Sequence, residues 1–405
     1  MIVGALNVKY SANLGDGLLA ECLEAELRAC GPDIQTLALD LAGRTDYGDG
    51  LQGRRAVLSL LEATPQPLRR EAVGALLDLT VRHRLRPRWR QALRGVDALV
   101  LGGGNLMADA DLNFPIKIEG ALAEAAAARL PVGVFGVGVS DNWSARGQSL
   151  FRRALANSRI THVAVRDAQS KAIWDRRLGP AGVRPAEVCR DPAVLAARHF
   201  PANSKRPGPL RIGLGLTSPL AIRYHSTSPS LRDEDLTRWT ADLAAAMTAQ
   251  GWEVSLFTNG SPEDRDYLLN VAPQLQAAGG ARVSLAPSFS RPRELAEFIS
   301  SRDLVLAHRM HACIAAYAYA TPHIGFAWDE KLQRFFDSVG RGEFVVEAGR
   351  TPTADVFALA ERALAQRIAR APHAACLSEA RAQIVRLVDS FRASQAAPAP
   401  RFAAQ

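Results

Sequence analysis

Short apolar runs alternate with longer amphipathic stretches over the first half of the chain. The runs are bounded by glycine, proline and polar residues, which is typical of strands buried on both faces of a sheet. The stretches between them carry apolar residues at helical spacing. The predicted strands are residues 2–8, 34–39, 98–101, 132–137 and 160–165. Strands that alternate with helices predict the α/β class, with a doubly wound parallel sheet.

The stretch at residues 199–209, rich in proline and polar residues, interrupts this pattern before it restarts. The second set of predicted strands is residues 211–216, 253–258, 283–285, 304–307, 324–327 and 344–346. A chain of 405 residues is also longer than one core usually supports. We therefore predict an N-terminal Rossmann-like domain over residues 1–200 and a C-terminal one over residues 201–372, facing each other across a cleft. Residues 373–405 are predicted to contain a helix from residue 378 to residue 393 and a disordered tail from residue 395 onward.

Residues 44–95 are helical in pattern, with breaks expected near Pro65, Pro67 and Pro87. Six arginines and no acidic residue lie within residues 81–95, and the net charge of the chain is +8. This segment is suited to peripheral contact with an anionic membrane or to a diphosphate. The alternative is a solvated arginine-rich helix face. Only Trp89 is available there to stack on bases, so we expect no nucleic acid partner.

The candidate chemistry is concentrated in residues 303–331. Residues 310–320 contain no fixed charge, which predicts a helix buried on every side. His308, Arg309 and His311 lie at the turn before or at the start of this helix, and Lys331 follows the next predicted strand. Strand ends and a helix N-terminus favour an anionic ligand, so we expect a small, strongly anionic substrate. The alternative is that Arg309 pairs with a carboxylate and His311 is a hydrogen-bonded histidine of the buried helix.

Three loops of the predicted N-terminal domain also follow strands. Their candidate ligands are Asn13, Gly15, Asp16, Gly103, Gly104, Asn105 and Arg166. Small residues at strand-to-helix turns let a ligand approach backbone N–H groups. The alternatives are that Asp16 is an ordinary N-cap and that the glycines serve close packing. Arg166 has no local helical role, whereas Asp167 is expected to be an N-cap.

Several blocks of the chain share their order and spacing with one known family. They are Asn-x-Gly-Asp at 13–16, Gly-Gly-Gly-Asn at 102–105, Arg166-Asp167 followed by Ser170, Asp191-Pro192, and Arg-x-His at 309–311 with Lys331 twenty residues beyond the histidine. Over about residues 1–345 the chain thus resembles the polysaccharide pyruvyl transferase family. The resemblance implies two Rossmann-like domains arranged as in GT-B glycosyltransferases. It also implies that the functional arginine, histidine and lysine are Arg166, His311 and Lys331. The family commonly has serine where this chain has His308, so the role of His308 stays open.

The resemblance further implies transfer of pyruvate from phosphoenolpyruvate onto two hydroxyls of one sugar. The products would be a cyclic ketal and phosphate, and the acceptor a saccharide or lipid-linked oligosaccharide of surface or exopolysaccharide synthesis. Histidine suits the proton transfers at neutral pH. No cofactor is implied beyond the phosphoenolpyruvate donor. No metal is expected, because His308-x-x-His311 lacks an evident third ligand.

Two other functions are compatible with the same sequence. One is a nucleotide-sugar-dependent GT-B glycosyltransferase, because fold does not fix function. The other is a non-catalytic protein that binds glycan or nucleic acid through residues 81–95. Five scattered cysteines, no basic leader and no apolar run of membrane-spanning length favour a cytoplasmic location, with peripheral contact at the inner membrane face.

Overall fold

The computed structural model describes residues 1–48, 74–204, 206–220, 222 and 232–396. The chain divides into two compact units, each built around its own parallel sheet. Unit 1 comprises Met1–Tyr10, Ala20–Pro192 and Glu379–Gln405, and unit 2 comprises Ser11–Leu19 and Ala193–Ser378. The main division therefore follows Pro192, near the predicted one. Residues 11–19 are grouped with the second unit and the C-terminal helix with the first.

The sheet of unit 1 has its strands in the order β2–β1–β3–β4–β5–β6, all parallel. The strands are β1 Ile2–Asn7, β2 Gln35–Asp40, β3 Ala98–Gly102, β4 Pro131–Val137, β5 Arg159–Val165 and β6 Glu187–Val188. Strands β3 and β4 are buried along their whole length, which accounts for their uninterrupted apolar sequence. The short strand β6 carries no such run and was not predicted.

Helices of unit 1 connect these strands. They are α1 Leu14–Ala29, whose first six residues belong to unit 2, α2 Arg86–Ala92, α3 Asn113–Ala127, α4 Ala145–Ala156 and α5 Ala168–Leu178. Asp167 caps α5 as predicted, because its carboxylate accepts a hydrogen bond from the Ser170 N–H at 2.7 Å. The apolar faces of the helices and the strands form a core that includes Leu101, Val134 and Trp174.

The predicted break at Pro87 is wrong, because residues 74–95 run on as helical turns. Val81–Leu85 is one wider π-helical turn, and Arg86–Ala92 follows it directly as α2. Pro87 lies at the start of α2 and has no backbone N–H. The wider turn before it replaces the ordinary α-helical hydrogen-bond pattern at that point, so the missing N–H does not break the helix. The predicted breaks at Pro65 and Pro67 lie outside the described residues.

The sheet of unit 2 has the order β12–β11–β10–β7–β8–β9, again all parallel. The strands are β7 Arg211–Gly215, β8 Glu253–Phe257, β9 Val283–Leu285, β10 Leu304–Ala307, β11 His323–Ala327 and β12 Val345–Glu347. The helices are α6 Ala196–His199, α7 Asp233–Ala249, α8 Pro262–Gly279, α9 Pro292–Ser300, α10 Met310–Ala318, α11 Glu330–Ser338 and α12 Thr353–Gln366. Helix α10 is buried from His311 to Ala318, as its uncharged sequence predicts. The two α/β sheets confirm the predicted fold class.

The last helix, α13, spans Arg370–Ala396 and begins before the predicted residue 378. Its part in unit 1 covers the sheet: Leu387 and Phe391 approach Gly133 so closely that a Cβ there would lie 2.4 Å from Leu387. The predicted disordered tail begins at 395, but Gln395 is helical, and residues 397–405 lie outside the description. None of the described helices combines the length and the apolar character needed to span a bilayer.

Candidate active site

The carboxyl ends of β7 and β10 meet where the strand order of the unit 2 sheet reverses. Strands β8 and β9 extend to one side of this point, and β11 and β12 to the other. Ligands of open α/β sheets bind at such a switch point. Ala307 of β10 pairs with Gly215 of β7, so the residues that follow these strands lie there. The turn that the sequence singled out, His308 and Arg309, is therefore at the expected ligand-binding edge.

Arg309 lies at the N-cap position of α10, but its guanidinium is directed to a buried carboxylate. Its Nε donates to Asp264 Oδ2 at 2.9 Å, and its Nη2 lies 2.7 Å from the same oxygen. Asp264 is fully buried, and its other oxygen accepts the Ser218 N–H at 2.9 Å. The Trp328 ring centroid lies 5.4 Å from the Arg309 Cζ. The alternative in which Arg309 pairs with a carboxylate is thus what the structure contains.

This pairing lowers the net positive charge of the site. The positive charge of Arg309 is compensated by Asp264, and the buried carboxylate fixes the orientation of the guanidinium. The Arg309 side chain keeps 18% of its surface exposed. Arg309 is therefore a pre-oriented donor of hydrogen bonds more than a free cation.

His311 occupies the first turn of α10 and is 7% exposed. The backbone of Gly15 lies against its ring, because a Cβ at Gly15 would be 2.6 Å from the His311 Cβ and 2.9 Å from its Nδ1. Only glycine fits there without displacement of one of the two elements. The Asn-x-Gly-Asp turn and the Arg-x-His turn are thus one packed assembly within unit 2.

The position of residues 11–19 corrects the sequence analysis, which assigned them to the N-terminal domain. The Leu14 N–H donates to the carbonyl of Asn259 after β8 at 2.8 Å, and this bond holds the turn at the unit 2 sheet. Asn13 shapes the turn, because its Oδ1 accepts the Gly15 N–H at 3.2 Å and its carbonyl accepts the Asp16 N–H at 3.0 Å. Asp16 lies in the first turn of α1 and accepts a bond from the Ser11 hydroxyl at 2.7 Å.

Lys331 lies in the first turn of α11, a helix that the sequence analysis did not identify. Asp329 caps this helix by accepting from the Lys331 and Leu332 N–H groups. The Lys331 Nζ is 3.5 Å from the Asp329 Oδ2, so this cation also has a carboxylate beside it. Strands β10 and β11 are paired neighbours, as expected, which brings the ends that carry Arg309 and Lys331 to the same edge.

His308 is almost completely buried, at 2% exposure. Its Nδ1 lies 3.3 Å from the Gly215 carbonyl and its ring packs edge-on against Phe326. Burial lowers the pKa of His308 to about 4; the Gly215 carbonyl opposes this shift and the charge of Arg309 adds to it. His308 is therefore neutral at physiological pH, and its Nδ1–H is best assigned as the donor to Gly215.

In unit 1, Arg166 follows β5 and its side chain is 9% exposed. Its Nε lies 3.5 Å from the Asp167 Oδ2. Gly138 makes room for it, since a Cβ there would lie 2.5 Å from the Arg166 Nη2 and 2.8 Å from the Asn105 Oδ1. Arg166 and Asn105 are thus brought together at the carboxyl edge of the unit 1 sheet, as the loops predicted.

Some backbone groups of the glycine loop after β3 form hydrogen bonds with the backbone of neighbouring residues. The Gly103 N–H donates to the Phe135 carbonyl at 2.9 Å, and the Gly104 carbonyl accepts the Gly138 N–H at 2.7 Å. Both Gly103 and Gly104 have positive φ, at 78° and 72°, which other residues adopt only with strain. Their conformation serves this close packing. The Asn105 Oδ1 is buried and has no hydrogen-bond partner among the described residues.

Asp264 is the residue of this site that sequence reasoning missed. It lies in the stretch Ser261-Pro262-Glu263-Asp264, where an acidic first turn of a helix is an ordinary feature. A usable signal was its place directly after β8, at the same sheet edge as Arg309. Nothing in the local sequence separates buried Asp264 from the neighbouring Glu263.

Within the part of the chain that the structure describes, no three histidine, cysteine, aspartate or glutamate side chains come together as a metal site would require. The two arginines and the lysine each have a carboxylate nearby, at Asp264, Asp167 and Asp329. Each of these three cations therefore lies beside a carboxylate that partly compensates its charge.

A family model described as polysaccharide pyruvyl transferase matches residues 13–330 of the chain. The match begins at Asn13, includes Arg166, Arg309 and His311, and ends one residue before Lys331. A search of curated protein sequences finds no match.

The fold is similar to those of several solved sugar-nucleotide enzymes. The UDP-GlcNAc 2-epimerase from Methanocaldococcus jannaschii matches with a TM-score of 0.58 and 10% identity, over 96% of this chain and 99% of that one. The S. aureus MnaA–UDP co-structure matches with a TM-score of 0.57 and 11% identity, over 97% of this chain and 96% of that one. The Neisseria meningitidis UDP-GlcNAc 2-epimerase bound to UDP-GlcNAc matches with a TM-score of 0.55 and 11% identity, over 97% of this chain and 99% of that one. Identities this low show the fold alone, which is of the GT-B type, as predicted.

Proposed function

The chain belongs to the polysaccharide pyruvyl transferase family, and from that premise we propose that it transfers pyruvate from phosphoenolpyruvate to two hydroxyls of one sugar. The acceptor is a saccharide, or its lipid-linked precursor, in the synthesis of a surface or exopolysaccharide. The observation that carries the proposal is the Arg309–His311 turn at the switch point of the unit 2 sheet, packed against the Asn13–Asp16 turn.

The reaction requires one protonation and two bond-forming steps. A proton added to the methylene carbon of phosphoenolpyruvate makes the adjacent carbon oxocarbenium-like. One sugar hydroxyl attacks this carbon and loses its proton. The second hydroxyl then displaces phosphate from the same carbon and its proton is transferred to the departing phosphate, which completes the cyclic ketal. A proton donor, a base and groups that bind a carboxylate and a phosphate are needed, and no cofactor or metal enters the scheme.

We assign the proton transfers to His311 and not to His308. The pKa of His308 is lowered to about 4 by burial, so it carries no proton to give at neutral pH. His311 lies in the first turn of α10, where backbone N–H groups favour an anionic substrate. His308 then supports the turn through Gly215 and lines the substrate site as a neutral ring.

We assign donor binding to Arg309 and Lys331. Asp264 holds the Arg309 guanidinium in one orientation, which suits two-point contact with a carboxylate or phosphate. Lys331 suits the departing phosphate as a compact point charge. In unit 1 we assign Arg166, Asn105 and the glycines of their loop to substrate binding. The five free cysteines of the chain favour a reducing, cytoplasmic location.

Incubation of the purified protein with phosphoenolpyruvate and a panel of free and lipid-linked glycans tests the proposal. The expected result is phosphate release together with the mass gain of one pyruvyl ketal on one glycan. A parallel panel of nucleotide sugars tests the glycosyltransferase alternative. Glycosyl transfer from a nucleotide sugar, with no turnover of phosphoenolpyruvate on any acceptor, would overturn the proposal.

A further inference from the structure

Two leucines project into solvent from the helical stretch at residues 74–80 in unit 1. Leu76 is 62% exposed and Leu79 is 56% exposed. Residues three apart lie on the same helix face, so the two side chains form one apolar patch. Single exposed leucines are ordinary, but an adjacent pair next to a basic segment indicates an interaction surface.

The helical turns that follow continue without interruption into the arginine-rich segment. The side toward the core carries Val81, Leu85, Trp89 and Leu93, at every fourth position. Four residues of an α-helix overshoot one turn by about 40°, which would rotate such a stripe away from the core. The wider π-helical turn at Val81–Leu85 compensates for this rotation. The residues of this stretch that are exposed to solvent therefore include Leu76 and Leu79 at its start and arginines along the turns that follow.

The arginines of this segment fall into two groups. Arg86 and Arg90 bind the buried carboxylate of Glu124 at 2.7 and 2.8 Å, and Arg88 donates to the Gly43 carbonyl. The other three make no ion pair or hydrogen bond with any described residue, and all three are exposed: Arg82, Arg84 and Arg94. The first group anchors the helix to unit 1, and the second leaves its charge available.

We propose that the segment from Leu76 to Arg94 is a membrane-docking surface that binds anionic phospholipid. Leu76 and Leu79 enter the boundary between headgroups and acyl chains, and the three unpaired arginines contact lipid phosphates. The combination of an apolar patch with unpaired positive charge matches a bilayer surface and not a nucleic acid. Trp89, which could have stacked on bases, is 3% exposed and donates its indole N–H to the Asp40 carbonyl. The proposal is independent of the reaction that the chain catalyses.

Flotation of the full-length protein with vesicles tests the proposal. Vesicles of phosphatidylcholine alone are compared with vesicles that contain phosphatidylglycerol, at low and at high salt. We expect binding to the anionic vesicles only, weakened by salt. Arginine near an anionic surface typically contributes a factor of about five in binding, so the double variant Arg82→Gln/Arg84→Gln should bind roughly twentyfold more weakly. Leu76→Ser/Leu79→Ser should weaken binding by a similar factor or more.

Two substitutions on unit 2 serve as matched controls. Leu269→Ser removes a leucine that is 56% exposed, and Arg238→Gln removes an arginine with a side chain that is 68% exposed. Both should bind vesicles like the unchanged protein. Failure of the unchanged protein to bind anionic vesicles would overturn the proposal, as would equal losses in the controls. Normal vesicle binding by the leucine variant would show a polyanion contact without membrane insertion and would also overturn the proposal. Binding of the unchanged protein to a DNA duplex as tightly as to anionic vesicles would overturn it for the same reason.

Discussion

The contact between Arg309 and Asp264 should be the strongest single ion pair among the described residues of unit 2. Asp264 is fully buried, and it accepts bonds from the Arg309 guanidinium and from the Ser218 N–H. Removal of one partner from a buried pair typically costs about 3–5 kcal/mol, because the other charge is left uncompensated. Arg309 retains 18% exposure, so water recovers part of this loss. We therefore expect Asp264→Asn and Arg309→Gln each to lower the free energy of unfolding by about 2–4 kcal/mol.

A double-mutant cycle isolates the interaction itself. The double variant Asp264→Asn/Arg309→Gln leaves neither charge of the pair. Its loss in free energy of unfolding should therefore be smaller than the sum of the two single losses by about 2 kcal/mol. The exposed pair Glu330–Arg334 on α11 is the control, with Glu330 at 80% exposure. Its cycle should give about 0.3–0.5 kcal/mol. Chemical unfolding of the six variants and the unchanged protein at neutral pH measures both couplings. Additive losses at Asp264 and Arg309, within about 0.5 kcal/mol, would refute the view that Asp264 holds Arg309.

Three further predictions concern turnover with phosphoenolpyruvate. His311→Gln and Lys331→Ala should each lower kcat on the order of a hundredfold or more, with an unchanged melting temperature; a stable variant with near-normal kcat would remove that residue from the mechanism. Gly15→Ala should lower both kcat and stability, because its methyl group would overlap the His311 ring, whereas Gly179→Ala, which has open space around it, should leave both unchanged. Arg166→Lys should raise the Michaelis constant of a substrate, because the guanidinium fork is lost; unchanged Michaelis constants for donor and acceptor would argue against a substrate contact.

Most of the described strands were predictable from the sequence because their neighbours bury them, whereas the exposed strand β6 was not predictable. Strand Leu304–Ala307 has the predicted bounds, since a buried parallel strand requires an apolar run and ends where polar residues begin. Helix α11 was not predicted, although Asp329 is a typical N-cap residue, because Lys331 was interpreted only as a strand-end cation. The continuous helix at Pro87 could not be predicted either, because a π-helical turn has no simple sequence pattern.

The partners of the site residues were less predictable than the residues themselves. His308, Arg309 and Lys331 were expected at one sheet edge, and pairing of β10 with β11 brings the two strand ends that carry them there. The pairing of Arg309 with Asp264 depends on the order of strands in the sheet, which is a property of the tertiary structure. The contact between Gly15 and His311 joins residues that are almost three hundred positions apart, and only the fold brings them together.

The buried histidines of unit 2 should make it sensitive to mild acid. His308 and His323 are both fully buried, and burial lowers their pKa values to about 4 and about 3. In the unfolded chain a histidine titrates near 6.5. Between 6.5 and the folded-state pKa, the unfolded chain binds a proton that the folded protein cannot bind. The stability that these neutral rings contribute is therefore complete above pH 6.5 and is lost as the pH falls.

One pH unit corresponds to about 1.4 kcal/mol for each histidine, so a fall from pH 6.5 to 5 should cost about 2 kcal/mol from each one. His308→Gln and His323→Gln should be less stable at pH 7, because the Gly215 carbonyl and the Thr321 carbonyl lose their ring partners. Each variant should nevertheless lose about 2 kcal/mol less than the unchanged protein between pH 6.5 and 5, since one titrating group is gone. Chemical unfolding across that range measures the difference. Parallel curves of stability against pH for the variants and the unchanged protein would show that neither ring is held neutral by burial.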